Sequence, residues 1–213
     1  MLLLAPPFWG RIVVSHRLKR RRKWLRTDER EDAVRALEWT AQVARSVGRD
    51  PHNWKWLLIS LHNAVQGYIV VALEKGNGLL ALRPKVARRW LAAFEGSGPY
   101  PVEKEKLDDF LPLYAKVKDR KHFQTPFPAT ANHDKRINQL NELRGQFVHF
   151  TPCGWSLELA GLPDIVSASV DVALWALDDA GMIWYKQSHV SRTRAAARQL
   201  KRFASSAQRS SDS

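Results

Sequence analysis

The stretch NWKWLLISLHNAVQGYIVVALE, residues Asn53–Glu74, decides the fold. It is apolar on nearly every side, and no charged residue occurs from Trp56 to Leu73. Pro51 precedes the stretch and Gly76 follows it, so both ends carry helix-boundary signals. A helix that is apolar all round is enclosed by other helices or by lipid. We therefore predict the central helix of an all-α, up-down helical bundle.

A membrane span is the alternative for this segment, because an uncharged run of this length is close to what crossing a bilayer requires. His62, Asn63 and Gln66 lie in its middle, where polar groups are costly in lipid. In a soluble bundle His62 and Gln66 share one helix face and need hydrogen-bond partners. We favour the bundle, without a membrane, and interpret the three residues either as a core polar network or as support for an active site.

Helical periodicity on both sides of this segment predicts the other helices. A first helix over residues 30–47 has an N-terminal cap formed by Asp28 and Glu31 and a stop at Gly48. We expect five to seven helices in all. The remaining ones are predicted over residues 84–94, 103–121 with Pro112 inside, 131–149, 161–179 and 184–203.

The net charge of +13 is concentrated at the two ends of the chain. Residues 1–30 carry nine Lys and Arg against two acids, residues 181–213 carry seven against one, and the middle is neutral. We therefore predict a basic, disordered extension over 1–28, a helical domain over 29–182, and a basic helix with a disordered Ser-rich tail over 183–213. The folded body is expected to have no net attraction for phosphate.

The basic run RLKRRRKWLR, residues 17–26, has two interpretations. It is either a solvated tail or a nucleic-acid arm, in which case Arg20, Arg21, Arg22 and Lys23 are the candidate contacts. The apolar residues come before the basic ones, which is the reverse of a secretory signal. A single cysteine, Cys153, excludes a disulfide framework, and no Cys/His spacing indicates a metal site. We expect a cytoplasmic protein with no cofactor and no metal.

Two further patterns have a structural interpretation. Asp164, Asp171 and Asp178 recur every seven residues, which predicts a solvent-facing stripe on their helix. Six tryptophans occur on apolar helices, not on a basic sheet, so core packing is favoured over base stacking. They are Trp54, Trp56, Trp90, Trp155, Trp175 and Trp184.

The segment Arg144-Gly-Gln-Phe-Val-His149 is the main candidate for a functional site. Arg144 falls within the predicted apolar arc of its helix, and His149 points about 140° away at the helix end. A long Arg side chain, the terminal turn or a second subunit would have to bring the two together. A histidine can move the proton of a ribose 2′-hydroxyl or of a leaving oxygen, while an arginine stabilises charge on phosphorus. The structural alternative is a buried Arg144 bonded to a carbonyl and a His149 that ends the helix.

The pattern Arg-x4-His near a helix end, within LNELRGQFVHF over residues 140–150, resembles the HEPN superfamily. The sequence TPCGWSLEL over 151–159 and the upstream Trp54-Lys-Trp56 and Leu61-His-Asn63 extend the similarity, which covers about residues 30–180. The resemblance implies a helical bundle that forms a homodimer, with Arg and His from two protomers lining one cleft that cuts RNA. It also implies a toxin or defence role, with an antitoxin or nucleotidyltransferase-type partner.

By this resemblance Arg144 orients the scissile phosphate and His149 is the general acid/base. His62, Asn63, Gln66 and Gln146 are the supporting candidates. The position after the motif arginine is usually polar in that superfamily, but here it is Gly145. Two functions therefore remain open: a metal-independent endoribonuclease, or a non-catalytic helical dimer that binds a partner protein, nucleotide or RNA.

Overall fold

The computed structural model describes residues 23–101, 106–149, 152, 154, 156–181, 184 and 186–211. Throughout this part of the chain the structure is all-helical, with seven α-helices, one 3-10 turn and no strand. The predicted all-α bundle is confirmed. The helices are α1 (Glu29–Val47), α2 (Asn53–Glu74), α3 (Pro84–Phe94), α4 (Phe110–Val117), α5 (Ala131–Val148), α6 (Leu162–Asp178) and α7 (Gln187–Ser211), and the 3-10 turn is Leu79–Ala81.

The central position of α2 agrees with its uniformly apolar sequence. It packs against α1, α4, α5 and α6, and Leu57, Leu61 and Val65 are fully buried. Gly67 allows the close approach of α1, because a Cβ at this position would lie 2.9 Å from the Cβ of Ala33. By length and composition α2 is the one described helix that could also cross a membrane, but most of it is covered by its neighbouring helices.

Local signals in the sequence correctly placed the ends of most helices. The Asp28 side chain accepts a hydrogen bond from the backbone N–H of Glu31 at 2.7 Å, and Gly48 follows the last residue of α1. The predicted bounds of α2 and α3 are confirmed at both ends, as is the start of α5 at Ala131 after its Thr130 cap. Capping groups and prolines act within one or two turns, so they are visible in sequence.

The prediction of a helix over residues 103–121 is wrong, because α4 begins only at Phe110. Before it, the N–H of Asp108 donates to the carbonyl of Ala81, and the N–H of Arg83 donates to the carbonyl of Lys106. This pairing with a distant segment occupies backbone groups that a helix would need. Pro112 therefore lies in the first turn of α4, where its missing N–H costs no hydrogen bond.

The basic helix α7 is part of the bundle. It starts beyond the boundary at residue 182 that the sequence predicted for the helical domain, yet it packs on α1 and α6. It continues to Ser211, past the predicted end near residue 203. A stripe of small and apolar residues carries the packing, and His189 and Thr193 are buried with it. The stripe is Ala196, Ala197, Leu200 and Ala204.

The three aspartates of α6 are interhelical partners, which corrects the prediction of a solvent stripe. Asp164 accepts from Arg136 of α5, Asp171 pairs with Lys201 of α7 at 2.7 Å, and Asp178 pairs with Arg194 at 2.8 Å. They are partly exposed, so each pair contributes little stability. The pairs nevertheless neutralise two of the cations of α7.

The tryptophans divide between the core and the surface. Trp54 and Trp175 are buried, and Trp175 donates from Nε1 to the carbonyl of Thr125 at 3.1 Å. Trp184 is half-buried against Tyr68. Trp56 is 56% exposed, so its predicted place in the core is wrong. Trp90 is half-buried in a surface cluster with Phe94 and Tyr100, while Trp155 lies outside the described residues.

Candidate functional site

The candidate site lies at the C-terminal end of α5, where the helix leaves the core. Ile137 and Leu140 are fully buried, but Leu143 is only half-buried and Val148 is 46% exposed. The predicted apolar stripe is therefore buried along its first half only. In the second half of α5, Leu143 and Phe147 still pack against the core, while the end of the helix is partly accessible to another molecule.

Arg144 is half-buried on this last part of α5. Among the residues that the structure describes, its side chain has no hydrogen-bond or ion-pair partner. The structural alternative, in which this guanidinium is bonded to a backbone carbonyl, is therefore not what the described contacts show. A half-buried cation without an acceptor has unused capacity for an anion, since a guanidinium offers five N–H donors.

His149 is exposed and forms the C-terminal cap of α5. Its backbone N–H donates to the carbonyl of Gly145 at 2.9 Å, and its φ of −106° and ψ of 49° turn the chain out of the helix. Within the described part of the chain the imidazole has no hydrogen-bond or ion-pair partner. No hydrogen bond joins Arg144 to His149, and the five intervening helical steps separate their directions by about 140°.

His62 of α2 supports the Arg144 side of the helix. It is buried, stacks on Phe110 with 4.1 Å between ring centres, and donates from Nε2 to Oδ1 of Asn141 at 3.3 Å. Burial, together with the nearby charge of Arg144, lowers the pKa of His62 to about 4, against the opposing effect of the Asn141 hydrogen bond. His62 is therefore neutral at pH 7, and Arg144 is the only cation of this group.

Asn141 is a residue of the site that the sequence did not single out. It lies one turn before Arg144 on α5, so the two share a face. The signal was present as a polar residue three positions before the motif arginine and next to the buried Leu140. Only the contact with His62, which is 79 positions away in sequence, shows its role.

The other supporting candidates are not bonded to the pair. Asn63 and Gln146 are exposed, Gln66 is half-buried, and within the described residues no hydrogen bond joins them to Arg144 or His149. The predicted core polar network is therefore reduced to His62 and Asn141. Of the basic-arm candidates, Lys23 is exposed, and Arg20, Arg21 and Arg22 lie outside the described residues.

Gly145 stands in open space between the two motif residues. A Cβ built on it would meet no other atom within 4 Å, so packing does not require a glycine. A polar side chain could occupy this position without a clash and would favour the helix. In the described part of the chain no group of three or more His, Cys, Asp or Glu residues could hold a metal ion.

In comparisons with known proteins, no family model, no curated protein and no solved structure matches this chain.

Proposed function

We propose that the chain is a metal-independent endoribonuclease whose site contains Arg144 and His149 from two protomers of a homodimer. The observation that carries this proposal is the unused bonding capacity of both side chains at one accessible helix end. Charged groups that serve the fold of this protein are paired, as the aspartates of α6 are. Arg144 and His149 have no such partners among the described residues.

The chemistry follows from the two side chains. The His149 imidazole accepts the proton of a ribose 2′-hydroxyl as the oxygen attacks phosphorus. The 5′-oxygen leaves with the bonding electron pair and takes a proton from an imidazolium, giving a 2′,3′-cyclic phosphate and a 5′-hydroxyl end. Arg144 stabilises the charge that develops on the phosphoryl oxygens. DNA lacks the 2′-hydroxyl and is not a substrate for this step.

The dimer is proposed because a single chain does not join the two residues. The end of α5 also exposes apolar surface at Val148, and Phe147 is only half-buried. A second copy packed there would cover this surface and bring its own Arg144 or His149 to the first. The toxin or defence setting and its partner protein remain proposals drawn from the resemblance, and the cytoplasmic location remains a proposal drawn from the cysteine content.

The direct test is cleavage of a mixed-sequence RNA strand by the purified full chain in excess chelator. We expect cleavage that falls by at least about 100-fold in His149→Ala, the size of a lost general acid/base. His52→Ala is the matched control, because His52 is also exposed but lies at the start of α2. Activity that survives in His149→Ala, or that disappears with chelator, would contradict the proposal, and the absence of any cleavage would favour a non-catalytic binding dimer.

Mixing two inactive variants tests the composite site. A heterodimer of Arg144→Ala and His149→Ala has one site with an intact arginine from one chain and an intact histidine from the other. We expect the mixture to recover part of the wild-type rate if each site uses both chains. No recovery, with dimerisation confirmed by sedimentation, would place both residues of a site on one chain.

Gly145→Asn sharpens the same test. It returns a polar group to the position after the motif arginine, where the structure has room for it. We expect faster cleavage than wild type in the same assay, because the amide can bond the scissile phosphate. A slower reaction with unchanged thermal stability would mean that the glycine itself is needed at the site.

A further inference from the structure

A groove between α6 and α7 lies apart from the end of α5. Its volume is about 410 Å³, and its lining is mostly apolar, with Leu174 of α6 and Ala197 of α7 among the lining residues. Four basic side chains complete the lining, Arg194, Arg198, Lys201 and Arg202, all from α7. The groove is open to solvent and combines an apolar floor with a cationic rim.

The rim carries more positive charge than the protein neutralises. From Gln187 to Ser211 the helix α7 contains six Lys and Arg residues and no acid. Asp178 pairs with Arg194, and Asp171 pairs with Lys201. Arg198 and Arg202 are exposed, and neither has an ion pair or a hydrogen bond within the part of the chain that the structure describes.

The spacing of the arginines sets them in a row. Arg194, Arg198 and Arg202 are four residues apart, so they follow one face of α7 at intervals of about 6 Å. Like charges at this spacing repel each other and weaken a helix. A bound polyanion would remove this repulsion, because each guanidinium can take a phosphate through two parallel hydrogen bonds.

The size and apolar surface of the groove indicate which class of ligand it can bind. A volume near 400 Å³ is at the lower end of ordinary small-molecule sites, about 300 to 1,000 Å³, and it accommodates one nucleotide. A base can stack on the apolar floor and on guanidinium planes, whereas an acidic peptide has no such flat apolar group at every repeat. The row of cations continues to both sides of the floor, as a bound strand requires.

We propose that the α6–α7 groove binds a single strand of nucleic acid, with phosphates on Arg198 and Arg202 and one base on the half-buried Leu174 and the aliphatic stems of the neighbouring basic side chains. The charge of the predicted basic C-terminal helix is thereby part of a binding surface of the bundle. This binding site does not depend on the proposed cleavage at α5, since no residue is shared. It would hold a strand whether or not the chain cuts RNA.

The test measures fluorescence anisotropy of a labelled twelve-nucleotide thymidine DNA strand with the full chain. DNA is used because it withstands the proposed cleavage and still presents the phosphates and bases that the groove would bind. We expect Arg198→Gln with Arg202→Gln to weaken binding at least tenfold near physiological salt. The slope of log affinity against log salt should shrink by about 1.4, for two phosphate contacts to a single strand.

The matched control removes the same charge elsewhere. The control is the double variant Lys85→Gln with Arg88→Gln, whose two positions lie on the exposed face of α3. Every variant keeps the basic residues 17–26. We expect the affinity of this control variant for the strand to fall by less than twofold. Equal losses in the two double variants, or no loss in the α7 variant, would overturn the proposal, as would equally tight binding of a duplex.

Two further binding measurements distinguish a nucleic-acid ligand from an acidic protein partner and separate strand binding from cleavage. Polyglutamate of matched charge should displace the strand only in large excess, and displacement at equal charge would instead indicate an acidic protein partner. A uridine RNA strand of the same length, measured with His149→Ala so that it is not cut, should bind with an affinity within a fewfold of that of the DNA strand. If His149→Ala binds RNA normally but the wild type does not cut it, the cleavage proposal fails and the proposal of a strand-binding groove is retained. If the wild type cuts RNA but the α7 double variant binds the strand as tightly as wild type, only the groove proposal is rejected.

Discussion

His189 and Arg192 on α7 are the same two residue types as Arg144 and His149 on α5, but the contacts of the two pairs differ completely. Arg192 donates to both Glu31 and Glu38 of α1, with bonds of 2.7 to 3.1 Å, and His189 donates from Nε2 to Glu31 at 2.9 Å. Arg144 and His149 have no carboxylate partner among the described residues. The α7 pair joins two helices, whereas the α5 pair, a half-buried arginine and an exposed histidine, joins nothing among the described residues.

The difference shows which charged residues the fold itself explains. A partly buried Arg–Glu network satisfies its own donors and acceptors, so its presence needs no ligand. A half-buried arginine with no acceptor is left without that explanation. If the comparison is correct, substitutions in the α7 pair change stability, and substitutions in the α5 pair change activity.

The largest effect is expected from Arg192→Met. It leaves Glu31 and Glu38 without their main partner between α1 and α7, and we expect a loss of about 3 kcal/mol in the free energy of unfolding. Arg144→Met should stay within about 0.5 kcal/mol, because no partner is lost. Urea unfolding followed by circular dichroism measures both. Equal losses would show that Arg144 also has a structural partner and would remove the contrast.

The second largest effect is expected from acid pH, which should weaken the contacts of Arg192 and His189 with Glu31. Burial raises the pKa of Glu31, but hydrogen bonds from Arg35, His189 and Arg192 outweigh it and lower the pKa to about 2. This stabilisation is present above the ordinary value near 4.5 and is lost as the pH falls towards 2. We expect protonation of Glu31 to lower the free energy of unfolding by about 2 kcal/mol over this pH range. The difference in unfolding free energy between wild type and Glu31→Gln should therefore shrink from pH 5 to pH 2, and a constant difference would argue against the network.

His62 gives the corresponding test beside Arg144. Its pKa is lowered to about 4 in the folded chain, so below the ordinary value near 6.5 the unfolded chain binds a proton that the folded chain does not. Stability is then lost as the pH falls from 6.5 to 4, by about 1 to 2 kcal/mol. His62→Gln, which can still bond Asn141, should flatten the pH dependence in this window. His52→Gln should keep the wild-type slope; a change in that control would assign the effect elsewhere.

The smallest effect is expected from Arg35→Ala. Arg35 also bonds Glu31, at 2.7 Å, but its side chain is 69% exposed. Exposed pairs of this kind contribute about 0.3 to 0.5 kcal/mol, and less in high salt. The same urea titration, repeated in 0.1 and 1 M NaCl, measures the difference. A loss as large as that of Arg192→Met would mean that contact number, and not burial, decides the strength of the network.

Most of the fold could be predicted from sequence because its helices carry their own boundaries. Pro51, Pro84 and Thr130 start helices, Gly48 ends one, and each acts locally. The start of α4 was missed because a backbone pairing between residues 81–83 and 106–108 depends on chain segments about 25 residues apart. The place of α7 was missed because six cations dominate a sequence whose apolar stripe is mainly alanine.

The candidate site was predicted only in part. The motif itself gave Arg144 and His149, and the uncharged α2 drew attention to His62. Asn141 and the exposure of the last turn of α5 depend on how α5 packs against α2, which no local pattern reports. The α6–α7 groove could not be predicted for the same reason, since its cations were assigned to a basic helix outside the helical domain.

The junction of α1 with α7 also governs when the protein can finish folding. Glu31 leaves the ribosome early, whereas its partner Arg192 is made 161 residues later. At about 5 to 20 residues per second this delay is roughly 10 to 30 seconds. Until then, the parts of α1 and α6 that α7 covers in the folded chain stay exposed. A stop codon just before α7 should therefore give an aggregating chain, although six of the seven described helices would be present.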